Sequence, residues 1–286
     1  MALVESLQKA IDYMEEHLLD PITISDIAEQ ANVSPFHFQR IFMILTDMSV
    51  GEYLRRRRLT LAAQELSSTD RKIIDLAYHY GYDTPESFSR AFRKQHGITP
   101  SEARKGQGRL QSYNRLMIQV NLRGAEPMNY RIVKRSAFEV IGIKRGFPCG
   151  NGEMGIPGVP DFWEEVNGNG SAARLLELNN GQIKGLLGVC ANHNVENNRT
   201  DYWIAAESSG ETSDQFSKLH FPAAKWAVFE AIGPAPEAIV DTTKKIYSEW
   251  FPSNSYEPAE IATFEAYIDP DPYKKDSYNE IWIPIK

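Results

Sequence analysis

A chain of 286 residues, 42% hydrophobic and 24% charged, is long enough for two domains with separate cores and has the composition of a soluble globular protein. Its formal charge is −7, but residues 51 to 124 hold 14 Lys and Arg against 7 Asp and Glu, so an acidic total does not exclude a nucleic-acid partner for the N-terminal half. Two cysteines, Cys149 and Cys190, and six scattered histidines exclude a disulfide framework and a metal site of standard spacing; an acid-bearing amphipathic start and the lack of a long apolar run predict a cytoplasmic protein without membrane association.

In chain order, LVESLQKAIDYMEEHL spaces its apolar residues by three and four and predicts a helix ended by Pro21, and Ser25 ahead of DIAEQA predicts the next N-cap. SPFHFQRIFMIL, residues 34 to 45, predicts a helix with Phe38, Ile41, Phe42 and Leu45 turned inward and Phe36, His37, Gln39 and Arg40 left toward solvent. YLRRRRLTLAAQEL predicts a joining helix, and at least two of its arginines, Arg55 to Arg58, read as a solvated face.

LAYHYGYDTPESFSRAF (76 to 92) then repeats IAEQANVSPFHFQRIF (27 to 42) with one inserted residue. Ala28 matches Ala77, Asn32 matches Gly81, Ser34-Pro35 matches Thr84-Pro85, Phe38 matches Phe88, Arg40 matches Arg90 and Phe42 matches Phe92. Each copy has the grammar of a helix-turn-helix: a small residue lets two helices approach, Asn or Gly takes a left-handed turn, and a hydroxyl caps a helix that opens on Pro.

From Tyr130 the texture changes. YRIVKR, FEVIGIKR, KGLLGVCA, TDYWIAAE, KWAVFEAI, IATFEAYI and EIWIPIK predict strands, while FWEEVNGNGSAARLLEL and PEAIVDTTKKIYSEWF predict helices. The expected division is an all-α double helix-turn-helix domain over 1–108, a connector over 109–127 and an α+β domain over 128–286. In TFEAYID, period two sets Glu265 and Tyr267 on one face and Phe264, Ala266 and Ile268 on the other.

Residues 8 to 104 resemble the DNA-binding domain of the AraC/XylS family of bacterial transcription regulators, above all through IIDLAYHYGYDTPESFSRAFRKQHGITPSEAR. The resemblance implies two recognition helices entering successive major-groove segments about 34 Å apart on one DNA face. The family's base-reading positions fall on Phe36, Gln39 and Arg40 in the first unit and on Pro85, Glu86 and Arg90 in the second. Ser34, His37, Thr84 and Ser87 complete the candidate DNA-binding set. Arg40 suits guanine, Gln39 adenine and Phe36 a thymine methyl. Pro85 and Glu86 depart from the amides common in the family, and Arg90 stays open between a base, a phosphate and an internal carboxylate.

Residues 128 to 286 resemble the GyrI-like effector-binding domain through YRIVKRSAFEVIGIKRGF, FEAY and the terminal EIWIPIK. This implies two pseudo-symmetric strand-helix-strand-strand units around a central cleft, with Glu265 and Glu280 as its acidic ligand contacts. Trp163, Trp203, Trp226, Tyr247 and Tyr267 are the candidate walls, and an acid among aromatic rings favours cations. The glycines of GNGEMGIPG (150 to 158) read as a flap over that cleft, because neither they nor NGNG (167 to 170) follow a strand and open a helix.

The whole is similar to Rob-type regulators, with the DNA-binding domain first. The function this implies is a transcription regulator, in the family an activator, that binds promoter DNA, contacts RNA polymerase and answers to a small amphipathic or cationic effector, with no cofactor. Two alternatives stand beside it: a GyrI-like hydrolase using Glu265 and Glu280 as an acid–base pair, and a constitutive DNA-binding protein with a structural C-terminal domain.

Overall fold

The computed structural model describes residues 2–118, 127–148, 156–194, 199–210 and 215–286; Cys149, the 150–155 part of the expected flap and the 119–126 part of the connector lie outside them. The first domain contains α1 (Ala2–Glu16), α2 (Ile24–Gln30), α3 (Pro35–Thr46), α4 (Val50–Ser68), α5 (Ile73–His79), α6 (Pro85–His96) and α7 (Pro100–Arg104).

The cap of α2 differs from expectation. Thr23, not Ser25, accepts from the Asp26 amide, and the Asp26 carboxylate accepts from the Thr23 amide in return, so the helix starts two residues earlier with two orphan donors satisfied. The repeated turns match closely. Asn32 (φ 52°) and Gly81 (φ 80°) both take the left-handed conformation, and Ser34 and Thr84 accept from the His37 and Ser87 amides to start α3 and α6.

The second domain places β1 (Tyr130–Arg135), β2 (Phe138–Pro148), β3 (Leu186–Asn194), β4 (Arg199–Glu207), β5 (Ser217–Phe221), β6 (Ala224–Ile232), β7 (Phe264–Tyr267) and β8 (Tyr278–Ile285) in one antiparallel sheet. The order is β1-β6-β8-β7-β3-β4-β2-β5. Exchanging each strand of the first four with its counterpart in the last four reverses this order, so the two units are related by a pseudo-twofold axis between β3 and β7, and each lends its first strand to the other's edge. Strand β5, SKLHF, has too little alternation to announce itself and pairs, among the described residues, with β2 at the sheet's edge.

Helices α8 (Val159–Gly168) and α9 (Ser171–Leu178) are separated by Asn169-Gly170, the second half of NGNG, where Gly170 turns left-handed. Helix α10 (Glu237–Lys245) continues through a π-helical turn, Ile246–Trp250.

One face of the sheet closes on itself. Phe138 of β2 stands 6.2 Å from Trp226 of β6, although these strands lie second from opposite ends of the order, and both join Phe221, Phe264 and Trp282 in an aromatic core. The other face carries α10 and, beyond it, the first helix-turn-helix unit: Phe38, Ile41 and Phe42 share one continuous core with Ala227, Phe229, Ile239, Tyr247 and Ile281. The second unit keeps a core of its own around Leu59, Leu76, Phe88 and Phe92.

The joining helix α4 uses its arginines unequally. Arg57 bonds Glu15 and the Tyr113 carbonyl, and Arg58 bonds the Leu18 carbonyl, whereas Arg55 is exposed. The connector's first part is strapped to α1 and α4: the Tyr113, Leu116 and Ile118 amides donate to Thr60, Tyr53 and Gln8.

Candidate DNA-reading helices and effector cleft

Pairing within the sheet decides which chemistry shares a face. Register sets Glu265 opposite Gly188 of β3 and Ile281 of β8, and side chains of directly opposed residues lie on the same side. Glu265 and Tyr267 therefore face α10 together with Cys190 and Tyr202; Glu265 is buried and Tyr267 half-buried. Gly188 is required by close approach: a Cβ there would lie 2.3 Å from the Tyr202 hydroxyl and 3.1 Å from Glu265 Oε2.

Trp163 of α8 donates its indole N–H to the Tyr202 hydroxyl at 3.0 Å and stands edge-on to the Tyr267 ring. Tyr247, in the π-helical turn, lies in the shared core beside this cavity, packed on His37 and Phe251. Burial pushes its hydroxyl up to about 12, with Arg40 acting against the shift and Glu265 with it. Tyr267 and Tyr202 are raised by burial and by the charge of Glu265, which keeps both phenols neutral and available as donors.

Three expected cleft residues lie elsewhere. Glu280 is opposite Ala266 and so faces the aromatic core, where it accepts from Tyr278 Oη (2.8 Å) and Trp282 Nε1 (2.9 Å) and pairs with Arg131 (2.8 Å). Trp203 and Trp226 belong to that same aromatic core. Glu265 and Glu280 thus stand on opposite faces of the sheet and form no acid–base pair.

The first recognition helix departs most from expectation. No residue between Pro35 and Thr46 is exposed, and the edge expected toward solvent is covered by the second domain. Arg40 donates from Nη2 to Glu265 Oε1 at 2.7 Å and from Nη1 to Thr263 Oγ1 at 2.9 Å. Its side chain is 20% exposed and that of Glu265 10%. Burial alone would lower the guanidinium's proton affinity, but the Glu265 charge raises it overall. His37 packs edge-on against Tyr247, and burial, then the Arg40 charge, lowers its imidazole to about 4.

Phe36, Gln39, Arg40, Met43 and Ile44 of α3 wall one side of a cavity of about 240 Å³; Cys190, Tyr202, Glu265 and Tyr267 line the sheet side, and Ile239, Val240 and Thr243 the α10 side. In the second unit the corresponding helix is open. Glu86 and Arg90 are exposed, Pro85 and Ser87 half-buried, Thr84 holds the cap, and Arg90 has no carboxylate partner among the described residues.

Sequence reasoning missed Tyr202, Cys190, Thr263 and Met43. TDYWIAAE carried a signal for the first of these: alternation separates Tyr202 from Trp203, and only one of them can share the face of Glu265. Among the described residues no helix is long and apolar enough to cross a membrane, and no cluster of His, Cys, Asp and Glu has the makings of a metal site.

Comparison with known proteins finds a match to the GyrI-like small molecule binding domain over residues 128–286 and to a helix-turn-helix domain over residues 27–106. Regulatory protein SoxS of Salmonella typhimurium is 39% identical over 104 residues, 36% of this chain and 97% of that protein. The HTH-type transcriptional activator AarP of Providencia stuartii is 36% identical over 95 residues (33% of this chain, 70% of that protein), and the right origin-binding protein of Escherichia coli is 39% identical over 93 residues, 32% of each. A solved structure of SAV2435 bound to tetraphenylphosphonium covers 56% of this chain and 94% of its own at 25% identity, with a TM-score of 0.49.

Proposed function

This chain belongs to the GyrI-like family and carries an AraC-type helix-turn-helix domain ahead of it, and from that premise we propose that it is a transcription regulator, not an enzyme, that reads promoter DNA with its first domain and binds a small amphipathic cation with its second. The observation that carries the effector class is the setting of Glu265. A largely buried carboxylate, sharing its cavity with Tyr267 and Tyr202, on which Trp163 packs, is paired in this structure with a planar delocalised cation, the Arg40 guanidinium. A covered carboxylate that already pairs with a guanidinium and shares its cavity with aromatic side chains has the chemistry for lipophilic cations generally.

DNA reading rests on two capped helices with the same grammar, and Arg40, Gln39 and Arg90 have the side chains that recognise base edges. Contact with RNA polymerase, and hence activation, is the reading supported by similarity to relatives named as a regulatory protein and an activator.

The test is ligand-induced thermal stabilisation of the full chain, wild type against Glu265→Gln. The probes are tetraphenylphosphonium and its neutral counterpart triphenylphosphine oxide. Ligand at a hundredfold excess over its Kd adds ~2.7 kcal/mol to the native state. The expected result is a rise in Tm with the cation, little with the neutral compound, and loss of the cation's effect in the variant. Equal shifts in both proteins would place the cation somewhere other than Glu265.

A further inference from the structure

The cleft proposed for the effector already has an occupant, and the occupant is the helix proposed to read DNA. Both terminal nitrogens of Arg40 are committed, one to Glu265 and one to Thr263. These are the donors a bidentate contact with guanine would need, so Arg40 cannot serve the cleft and a base at once. The remaining cavity, about 240 Å³, falls below the roughly 300–1,000 Å³ of sites that enclose drug-sized ligands. Five residues of α3 form its wall, so withdrawing α3 enlarges the space and frees Glu265 in one motion.

A second tether lies outside the cleft: Lys244 of α10 pairs at 2.8 Å with Asp47, which ends α3. The second unit has the same capped helix and, among the described residues, no such cover.

We infer that α3 is an internal competitor for the effector cleft: Arg40 stands where the cation of the effector binds, and DNA and effector each need α3 withdrawn, so each favours binding of the other. This rests on the cleft being the effector site. The linkage is reciprocal: the factor by which a cation tightens DNA binding is the factor by which DNA tightens cation binding. The energy comes from differential binding to the seated and withdrawn states, because a ligand of equal affinity for both would shift nothing.

The test uses the full chain, a duplex selected from a random pool with that same chain, and tetraphenylphosphonium, with triphenylphosphine oxide as the uncharged control. Saturating cation is expected to tighten duplex binding at least tenfold, and the control not at all. Lys244→Glu, outside the cleft, sets a like charge against Asp47; Thr263→Val removes one acceptor of Arg40 and leaves Glu265. Both are expected to tighten duplex binding without any ligand, by threefold or more, and to shrink the response to the cation. Cation binding that leaves duplex affinity unchanged or weakens it would overturn the competition.

If the chain binds no tetraphenylphosphonium, the cationic-effector reading fails by itself and the two variants still decide about α3. Unchanged duplex affinity in both, with their melting temperatures intact, overturns the seated helix as a restraint on DNA binding. Tighter binding in both sustains it.

Discussion

Helices α3 and α6 start alike, with a hydroxyl cap followed by Pro, a buried Phe three residues further on and an Arg two after that, yet every residue of α3 is at least half-buried while α6 presents Glu86, Arg90, Arg93 and Lys94 to solvent. The difference does not arise inside the helices. It comes from what each unit packs on: the first shares its core with the sheet and α10, and the second closes its own core around Phe88 and Phe92. A repeat in sequence therefore specifies a local fold twice, while how open each copy stands is set by residues as far as 225 positions away.

Paired core truncations separate the two units most. Phe38→Ala and Phe88→Ala each delete a fully buried ring, at a cost of about 3–5 kcal/mol. All five tryptophans lie in the second domain, at 163, 203, 226, 250 and 282, so their fluorescence reports that domain alone. Denaturation followed by fluorescence is expected to move to lower denaturant for Phe38→Ala, whose core is shared. Phe88→Ala is expected to leave fluorescence nearly unchanged and to shift only the helical circular dichroism signal. Identical fluorescence midpoints in the two variants would break the comparison.

Removing one member of the buried pair comes next. Arg40→Met leaves Glu265 covered and unpaired, and is expected to cost about 3 kcal/mol, the lower end for a broken buried pair because the Arg40 side chain keeps 20% exposure. The double variant with Glu265→Gln is expected to recover part of that loss in a denaturant titration. Additive losses would show that the two side chains do not interact.

Acid sharpens the same contrast. The His37 imidazole is held near 4 by burial and by Arg40, below its ordinary 6.5, so the unfolded chain takes up the proton first as pH falls. Stability owed to neutral His37 is complete above pH 6.5 and is lost progressively as pH drops toward 4, by roughly 3 kcal/mol at most. His96 of the second unit is lowered by burial too, so its contribution persists when His37 is removed. His37→Leu is expected to flatten the loss between pH 6.5 and 4 without abolishing it; an unchanged slope would mean His37 is not held neutral by the fold.

The smallest effect on stability belongs to the open helix. Arg90→Ala is expected to change the unfolding free energy by less than ~0.5 kcal/mol, since the side chain is exposed and unpaired among the described residues. The same variant is expected to weaken binding to a selected duplex by ~1–3 kcal/mol, confined to one base position. A loss uniform across sequences would make Arg90 a phosphate contact.

Much of this was legible in the sequence because it is local. The spacing of Phe38, Ile41 and Phe42, the turn residues Asn32 and Gly81, the change of texture at Tyr130 and the alternation that joins Glu265 to Tyr267 depend on neighbours a few positions apart. The face shared by Glu280, Trp203 and Trp226 was not legible, because alternation orders residues within one strand and only interstrand register decides which faces coincide. The fate of Arg40 was hidden for a further reason. A polar helix edge looks the same in sequence whether it meets water, DNA or a carboxylate 225 residues along the chain.

The most direct measurement is a phenylglyoxal footprint of the full chain, resolved by mass spectrometry into the modification rates of Arg40 and Arg90. With α3 seated on Glu265 and α6 open, Arg90 is expected to react at the rate of a free arginine and Arg40 many times more slowly, with Arg40 accelerating when tetraphenylphosphonium is added. Equal rates for the two arginines in the free chain would contradict the seated helix.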